Sequence, residues 1–286
     1  MRVPEEIAWL AEREDGAAWL DALPGVLEEV VEQWGLTLGA VYDGGMTAYV
    51  ARATTADGTP AVLKVQWPHR EAEHEAEALR VWDGHGAVRL LAHDPERHAL
   101  LLERAEPGDR LTASPLDEAV GVIIGLVREL AVPVTEPFTP LADEAAHWGA
   151  SLPHEWEAAG RPFESSLVDT AVGLLEDLAP TQGTQVLVHQ DLHADNVVAA
   201  QRAPWLAIDP KPLAGEIEFA IAPLVRDFSL GHDRSAVRHR FDRACDELDL
   251  DADRARGWCV AQTVAWAPDN PATTAHHAQT ARWLIA

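Results

Sequence analysis

Apolar side chains recur every three or four positions along the first 35 residues. Ile7, Leu10, Trp19, Leu20 and Leu23 lead to Leu27, Val30, Val31 and Trp34, the stripe of an amphipathic helix, with a break predicted at Pro24-Gly25. From Leu36 the period shortens. The run LTLGAVYDGGMTAYVARATTADGTPAVLKVQW is rich in Val, Thr, Tyr and Leu and is cut by turn signals at Asp43-Gly44-Gly45 and Asp57-Gly58. It predicts three antiparallel strands, the third over Ala61 to Gln66. HREAEHEAEALRVWDG then predicts a helix, charged on one face and carrying Ala72, Ala76, Leu79, Val81 and Trp82 on the other. AVRLLAHD and HALLLERAEPG read as two further strands around the Asp94-Pro95 turn.

The polar Pro-Gly segment Ala105 to Gly108 is the best boundary in the chain, because the periodicity beyond it is helical. Ser114-Pro115-Leu116-Asp117 offers an N-cap, a proline at the first helical position and an acidic residue at N3. Val120, Ile123, Ile124, Val127 and Leu130 follow until Pro133. A further helix is predicted over roughly Leu167 to Leu178, a strand-loop-strand stretch over Gln185 to Ile208, and helices over the last third. The pattern is α+β and bilobal. A small β-rich N-terminal lobe covers 1–104, with a helical lead-in over 1–35 and a sheet plus helix over 36–104, and a larger α-helical lobe covers 105–286.

Composition narrows the partners. The 286 residues are enough to bury a sizeable core. Lys and Arg total 22 against 47 Asp and Glu, a formal charge of −25. Such a chain repels phosphate backbones and anionic lipid, so neither nucleic acid nor a membrane is expected as a partner, and a charged small partner is expected to be a cation. Only Lys64 and Lys211 are lysines; every other basic side chain is arginine. Cys245 and Cys259 are too few for a disulfide framework. The acidic start MRVPEEIAWLAERE lacks a secretory layout, and no apolar run approaches the ~18 residues of a membrane span. A cytoplasmic protein, monomeric or weakly dimeric, is expected.

The chemistry is concentrated in VLVHQDLHADNVVAA and the following PWLAIDPKP. Phosphoryl transfer needs a carboxylate to orient and deprotonate a hydroxyl and oxygen ligands to hold Mg²⁺ against nucleotide phosphates. Asp191, with Asn196 and Asp209, supplies that set, and the five-residue step from Asp191 to Asn196 matches the kinase loop H-R-D-x-x-x-x-N, with His189 and Gln190 at its first two positions. The other parts fall in order. Lys64 stands near the end of the third strand, where a phosphate-holding lysine belongs, and Glu75 follows on the next helix, with Glu71, Glu73 and Glu77 as rivals. The turn containing Gly44, Gly45 and Thr47 lies where a phosphate-covering loop belongs. His189 and His193 could together bind metal, but no third cluster has zinc spacing, and His189 is expected to pack beneath the loop and order it.

On these residues, together with PWLAIDPKPLAGE, TPAVLKVQWP, GAVRLLAHD and ALLLER, the chain resembles the aminoglycoside phosphotransferase superfamily, in its streptomycin 6-kinase and hydroxyurea phosphotransferase branch. The resemblance runs from about Glu14 to the C-terminal helices. It implies a protein-kinase-like fold and an ATP- and Mg²⁺-dependent phosphotransferase moving the γ-phosphate to a hydroxyl of a small molecule. The acceptor it implies is a streptomycin-like aminoglycoside, and the outcome antibiotic inactivation. It also implies Asp191 as catalytic base, Asn196 and Asp209 on magnesium, Lys64 and Glu75 as the nucleotide-side ion pair, and adenine against the backbone of Glu103 to Ala105. Two departures stand out. Where the family's G-D-x-x-F-D segment ends on an aspartate that steadies the catalytic loop, this chain has Ala220, with Glu216 at the preceding acidic position, which leaves the loop's rigidity open. The glycine turn is also minimal, so phosphate contacts there rest on backbone amides of Gly44 to Thr47.

Lys211 reads equally as a surface lysine or as a contact to the transferred phosphate. The 11 tryptophans outnumber Phe and Tyr together, and most are expected in the core. Trp258, Trp266 and Asp269 lie where the superfamily builds its acceptor pocket and could stack on and ion-pair with a cationic sugar. The alternatives are a kinase of another small acceptor, hydroxyurea or an amino sugar, and a non-catalytic nucleotide-binding protein on the same frame. A protein kinase is disfavoured, since Ile208-Asp209-Pro210 stands in place of D-F-G and no A-P-E follows.

Overall fold

The apolar stripe of the first 35 residues covers a sheet. The computed structural model describes residues 4–42, 44–134 and 137–286; Asp43, predicted in the first glycine turn, lies outside the described residues. A 3-10 segment (Glu5–Glu12) leads into helix α1 (Glu14–Trp34). The break predicted at Pro24-Gly25 is absent. α1 runs through Pro24, and the chain turns instead at the extended residue Arg13. Leu23, Leu27 and Val30, on both sides of the proline, are buried, and that burial outweighs the ~3 kcal/mol that an interior proline costs. Gly16 permits the fold-back: a Cβ there would lie 2.3 Å from the Leu10 carbonyl oxygen.

Strands β1 (Thr37–Val41), β2 (Ala48–Thr54), β3 (Pro60–Gln66), β4 (Leu90–Asp94) and β5 (Ala99–Glu103) form an antiparallel sheet in the order β1-β2-β3-β5-β4. Ile7, Leu10, Leu27 and Val30 pack on Tyr49, Leu63, Val65 and Leu101 in one core. Lys64 sits in the middle strand, opposite Val50 and Leu100. Helix α2 (Glu75–Trp82) is shorter than predicted: Arg70–Ala72 is a separate 3-10 turn, and His74, at φ 65°, interrupts the helical backbone. Glu75 therefore opens α2, with its side chain buried, whereas Val81, expected on the apolar face, is 48 % exposed.

Contacts divide the chain into two units, the first ending at Gly108 and the second beginning at Asp109; the sequence pattern had suggested a boundary after residue 104. The second unit runs α3 (Leu116–Leu130), β6 (Thr139–Pro140), α4 (Leu141–Ala158), α5 (Ser165–Leu178), β7 (Val186–Val188), β8 (Val197–Ala199), β9 (Trp205–Ala207) and β10 (Leu213–Gly215). It continues with α6 (Ala222–Arg226), α7 (Arg234–Leu248), α8 (Ala252–Ala265) and α9 (Thr274–Ile285). β6, β10 and β7 form one small sheet and β8-β9 a hairpin. Ser114 does not cap α3, which begins at Leu116 after Pro115. Among the described residues no helix is long and apolar enough to cross a membrane.

α8 is the central element of this unit, with every residue from Gly257 to Ala265 buried. It is anchored by Glu216, itself 2 % exposed, which accepts from Arg254 Nη2 at 2.7 Å, from the Trp258 indole and from the Gly183 amide at 2.8 Å. Glu216 thus ties α8 to the loop before β7. Replacing it by alanine strands the indole N–H in the core and removes the partner of Arg254. Glu216→Ala is expected to cost about 3 kcal/mol of stability, checked by urea unfolding.

Candidate active site

β7 is a buried apolar strand that delivers the chain into a polar loop closed by the β8-β9 hairpin. Two residues of this stretch take left-handed backbone, Gln190 at φ 65° and Asp209 at φ 57°, a conformation that non-glycine side chains adopt where the surroundings enforce it. The enforcement is visible. His189 Nε2 donates to the Ile208 carbonyl at 3.0 Å, its Nδ1 accepts from the Asp191 amide at 3.4 Å, and the Lys211 amide donates to the His189 carbonyl at 3.0 Å. Both ring nitrogens of His189 are engaged in the loop rather than turned to a metal. Burial pulls its pKa down to about 4, so it stays a neutral strut, the ordering role expected of it. Asn196 donates from Nδ2 to the Asp191 carbonyl at 3.0 Å, and its own carbonyl accepts from the Ile208 amide at 2.9 Å. The loop and hairpin therefore bring Asp191, Asn196 and the Asp209 segment together.

Asp191 is buried between two cations and a histidine. Arg226 Nη2 donates to Oδ1 at 2.8 Å, Lys211 Nζ lies 3.4 Å from Oδ2, and His193 Nε2 lies 3.7 Å from Oδ1. Burial by itself would raise the carboxyl pKa, but Lys211, His193 and Arg226 outweigh it and hold the group well below the usual carboxylate range. Arg226 is fixed in turn. Its Nη1 donates to Gln262 Oε1 at 3.1 Å, Gln262 Nε2 donates to the Gln190 carbonyl at 3.1 Å, and the guanidinium lies 4.2 Å above the Trp266 ring. Sequence reading missed Arg226, Gln262 and the neighbouring Asp227, whose Oδ2 accepts from the Ala194 amide inside the loop at 2.9 Å.

The residues expected at the acceptor separate into two groups. Lys211 Nζ lies 4.6 Å over the Trp266 ring, which places Lys211, Trp266 and Asp191 in one cluster. Trp258 does not join them: it is 0 % exposed, bonded to Glu216 and packed edge-on against Phe219, so it fills the core instead of offering a face for stacking. Asp269 is exposed beyond the end of α8.

In the first unit the structure selects Glu75 from its rivals. Lys64 Nζ donates to Glu75 Oε2 at 2.7 Å, Gln66 Nε2 donates to the same oxygen, and all three side chains are buried. In the turn between β1 and β2, Gly44 has φ 94°, and a Cβ on Gly45 would lie 2.8 Å from the Ala48 carbonyl. The Thr47 carbonyl accepts from the Trp67 amide at 2.9 Å. Trp9 of the lead-in, another residue that sequence reading did not mark, donates from its indole to the Met46 carbonyl at 2.9 Å. Glu103 ends β5, its carboxylate accepting from the Arg89 amide at 3.0 Å, and Ala105 lies in the segment that follows.

The family of aminoglycoside/hydroxyurea antibiotic resistance kinases matches residues 33–270. The chain belongs to this family. It is 38 % identical over 268 residues to a streptomycin 6-kinase of Streptomyces glaucescens, covering 90 % of this chain and 87 % of that protein. It is 40 % identical over 275 residues to a hydroxyurea phosphotransferase of Kitasatospora aureofaciens, covering 92 % and 78 %. Among solved structures it is similar to a thermostable mutant of aminoglycoside phosphotransferase APH(4)-Ia in ternary complex with ADP and hygromycin B, with TM-score 0.61, 13 % identity and coverage of 90 % and 97 %. It is likewise similar to the choline kinase LicA of Streptococcus pneumoniae, with TM-score 0.63, 14 % identity and coverage of 92 % and 99 %. The fold is thus the kinase-like α+β fold expected from the sequence.

For a member of this kinase family, the donor set suits magnesium. Mg²⁺ takes one or two protein oxygens and fills the rest of its shell with phosphate and water. Asn196, whose Nδ2 is committed to the loop, has Oδ1 as its remaining side-chain polar atom, and Asp209, an exposed residue, supplies a carboxylate. Among the described residues no group of three or more His, Cys, Asp or Glu could cage a metal without a substrate.

His277 on α9, beside the Trp266 end of this network, is buried, and that burial pushes its pKa from 6.5 down to about 3. The folded state then binds fewer protons than the unfolded chain throughout that window, so stability falls as pH drops from about 6.5 toward about 3. The loss attributable to His277 is on the order of 5 kcal/mol. Thermal unfolding followed against pH is expected to show this acid limb, and His277→Gln to flatten it.

Proposed function

We propose that the protein transfers the γ-phosphate of ATP to a hydroxyl of a streptomycin-like aminoglycoside and so inactivates it. The observation that carries this reading is the loop in which Asp191 and Asn196 share one hydrogen bond, closed by the hairpin whose second strand leads into Asp209. In the first unit, Lys64, held by Glu75, meets the α- and β-phosphates, backbone amides of Gly44, Gly45 and Thr47 cover the phosphate chain, and the backbone from Glu103 to Ala105 meets the adenine. In the second, Asn196 and Asp209 would hold Mg²⁺, which neutralises phosphate charge when bound.

Asp191 orients the attacking hydroxyl and takes its proton. With Arg226 and Lys211 beside it the carboxylate is a weak base, so its main contribution is placement. Holding reactants in line supplies about 7–11 kcal/mol, against about 3–5 for general-base action, and the loose transition state of phosphoryl transfer asks little of the base. Lys211, on the Trp266 face of Asp191, contacts the transferred phosphate. The surplus of surface carboxylates raises the local concentration of a cationic acceptor, which supports a small positively charged sugar. A second acceptor, hydroxyurea, is supported by the 40 % identity to a hydroxyurea phosphotransferase.

ADP release measured over streptomycin, other aminoglycosides, amino sugars and hydroxyurea tests the reading, with turnover expected on streptomycin. Silence with every acceptor overturns it in favour of a non-catalytic nucleotide-binding protein. Asp191→Ala is expected to lower kcat by at least about 10²–10⁴-fold, the general-base share alone, with ATP affinity retained. Asp209→Ala is expected to abolish the Mg²⁺-dependent part of ATP binding, read by titration with and without the metal.

A further inference from the structure

The residue that steadies this loop in the family pattern is replaced by Ala220, yet the loop is not loose. Ala220 is buried, and it lines, with Leu130, Val188, His189 and Leu192, a void of only about 10 Å³ beneath the loop. The hydrogen bond that holds the loop comes from elsewhere. Asp227 reaches it with Oδ2, which accepts from the Ala194 amide at 2.9 Å. That amide opens the 3-10 turn Ala194–Asn196, whose first N–H groups have no partner within the turn itself.

The other oxygen of Asp227 is committed to its own segment. Oδ1 accepts from the Ser229 amide at 2.9 Å and from Ser229 Oγ at 2.6 Å, which caps the 3-10 turn Phe228–Leu230 and fixes the carboxylate's rotamer. The segment is in turn pinned by Arg240, 1 % exposed, whose guanidinium donates to the carbonyls of Leu224, Val225, Leu230 and Gly231 at 2.7–3.1 Å. Four carbonyls on both sides of Arg226-Asp227 thus converge on one buried cation. The adjacent pair then grips the loop at two points, Arg226 at the Asp191 carboxylate and Asp227 at an amide three residues further on.

We propose that Asp227 is the positioning residue of this enzyme's catalytic loop, taking over through the Ala194 amide the support that position 220 lacks. The proposal rests on the reading of Asp191 and Asn196 given above. Asp227 touches neither substrate nor metal; it acts by holding the turn that ends at Asn196 in fixed relation to Asp191.

The test combines hydrogen-deuterium exchange of the loop, residues 189–199, with ADP release on streptomycin. Asp227→Ala is expected to speed exchange at Ala194 and lower kcat about 10–100-fold, the usual effect of removing a group that orients a site from outside. Asp227→Asn is expected to restore both only in part: its amide oxygen can accept from the Ala194 amide, but its Nδ2 then faces the Ser229 amide, which loses its acceptor. Ser229→Ala, which removes only a contact on the far side of the carboxylate, is expected to keep loop protection and kcat even where it lowers the unfolding temperature. Wild-type protection and kcat in Asp227→Ala overturn the proposal. Equal losses of kcat in Asp227→Ala and Ser229→Ala also overturn it, since the effect is then general destabilisation. Failure of the functional reading looks different: the wild type releases no ADP, or Asp191→Ala turns over normally, and exchange at Ala194 still decides whether Asp227 holds the loop.

Discussion

The second unit is organised around one buried ion pair, Arg226 to Asp191 at 2.8 Å. Two charges so enclosed cost several kcal/mol each in lost hydration, and their mutual attraction offsets this only when the remaining donors and acceptors are also satisfied. Gln262, the Trp266 face and Lys211 supply those partners. Because Gln262 also bonds the Gln190 carbonyl, satisfying the arginine fixes the backbone of the loop that carries the aspartate. Electrostatic compensation and site geometry are therefore one requirement. This explains why α8, which contributes Gln262 and ends at Trp266, is buried along most of its length and anchored at its other end by Glu216.

Local chemistry was legible in the sequence and its support was not. The His189 to Asn196 loop declares itself because its functional groups lie within a few residues, and Lys64 with Glu75 because a strand and the following helix juxtapose them. The fold class followed from the change of period at Leu36 and again after Gly108. Arg226 and Asp227 reach the loop from 35 and 33 residues downstream, and Gln262 from 72. No pattern within a helix or strand announces a contact at that range. Trp258 and Trp266 show the same limit: eight positions apart at one end of the chain, they read alike, and only packing distinguishes a core indole from a platform for cations. The predicted break at Pro24 failed for a related reason, since propensity is local while the burial of Leu23 and Leu27 is set by the sheet beneath.

In the arrangement proposed above, the support that position 220 lacks comes from another part of the same frame. What the loop requires is an acceptor for a stranded amide and a fixed partner for the aspartate; it does not require that both come from one place. Here they come from adjacent residues, 226 and 227, and the cost of holding that dipeptide falls on Arg240. A guanidinium suits this task better than an ammonium, because its planar fork can serve several carbonyls at fixed angles. Glu216, one position into the same G-E-I-E-F-A segment, has taken a different task, bracing α8.

Charge is distributed to match. A chain of net charge −25 places two arginine-class or lysine-class cations, Arg226 and Lys211, on the one buried carboxylate that the proposed transfer uses, and its other lysine in the buried pair with Glu75. Anionic phosphate would be repelled by the average surface, so it needs these local reversals of sign, whereas a cationic acceptor is drawn by the average. The same arithmetic accounts for the weakness of Asp191 as a base. In the proposed transfer, the cations that would offset phosphate charge also stabilise the ionised aspartate, so proton affinity is given up for a fixed carboxylate that would orient a hydroxyl.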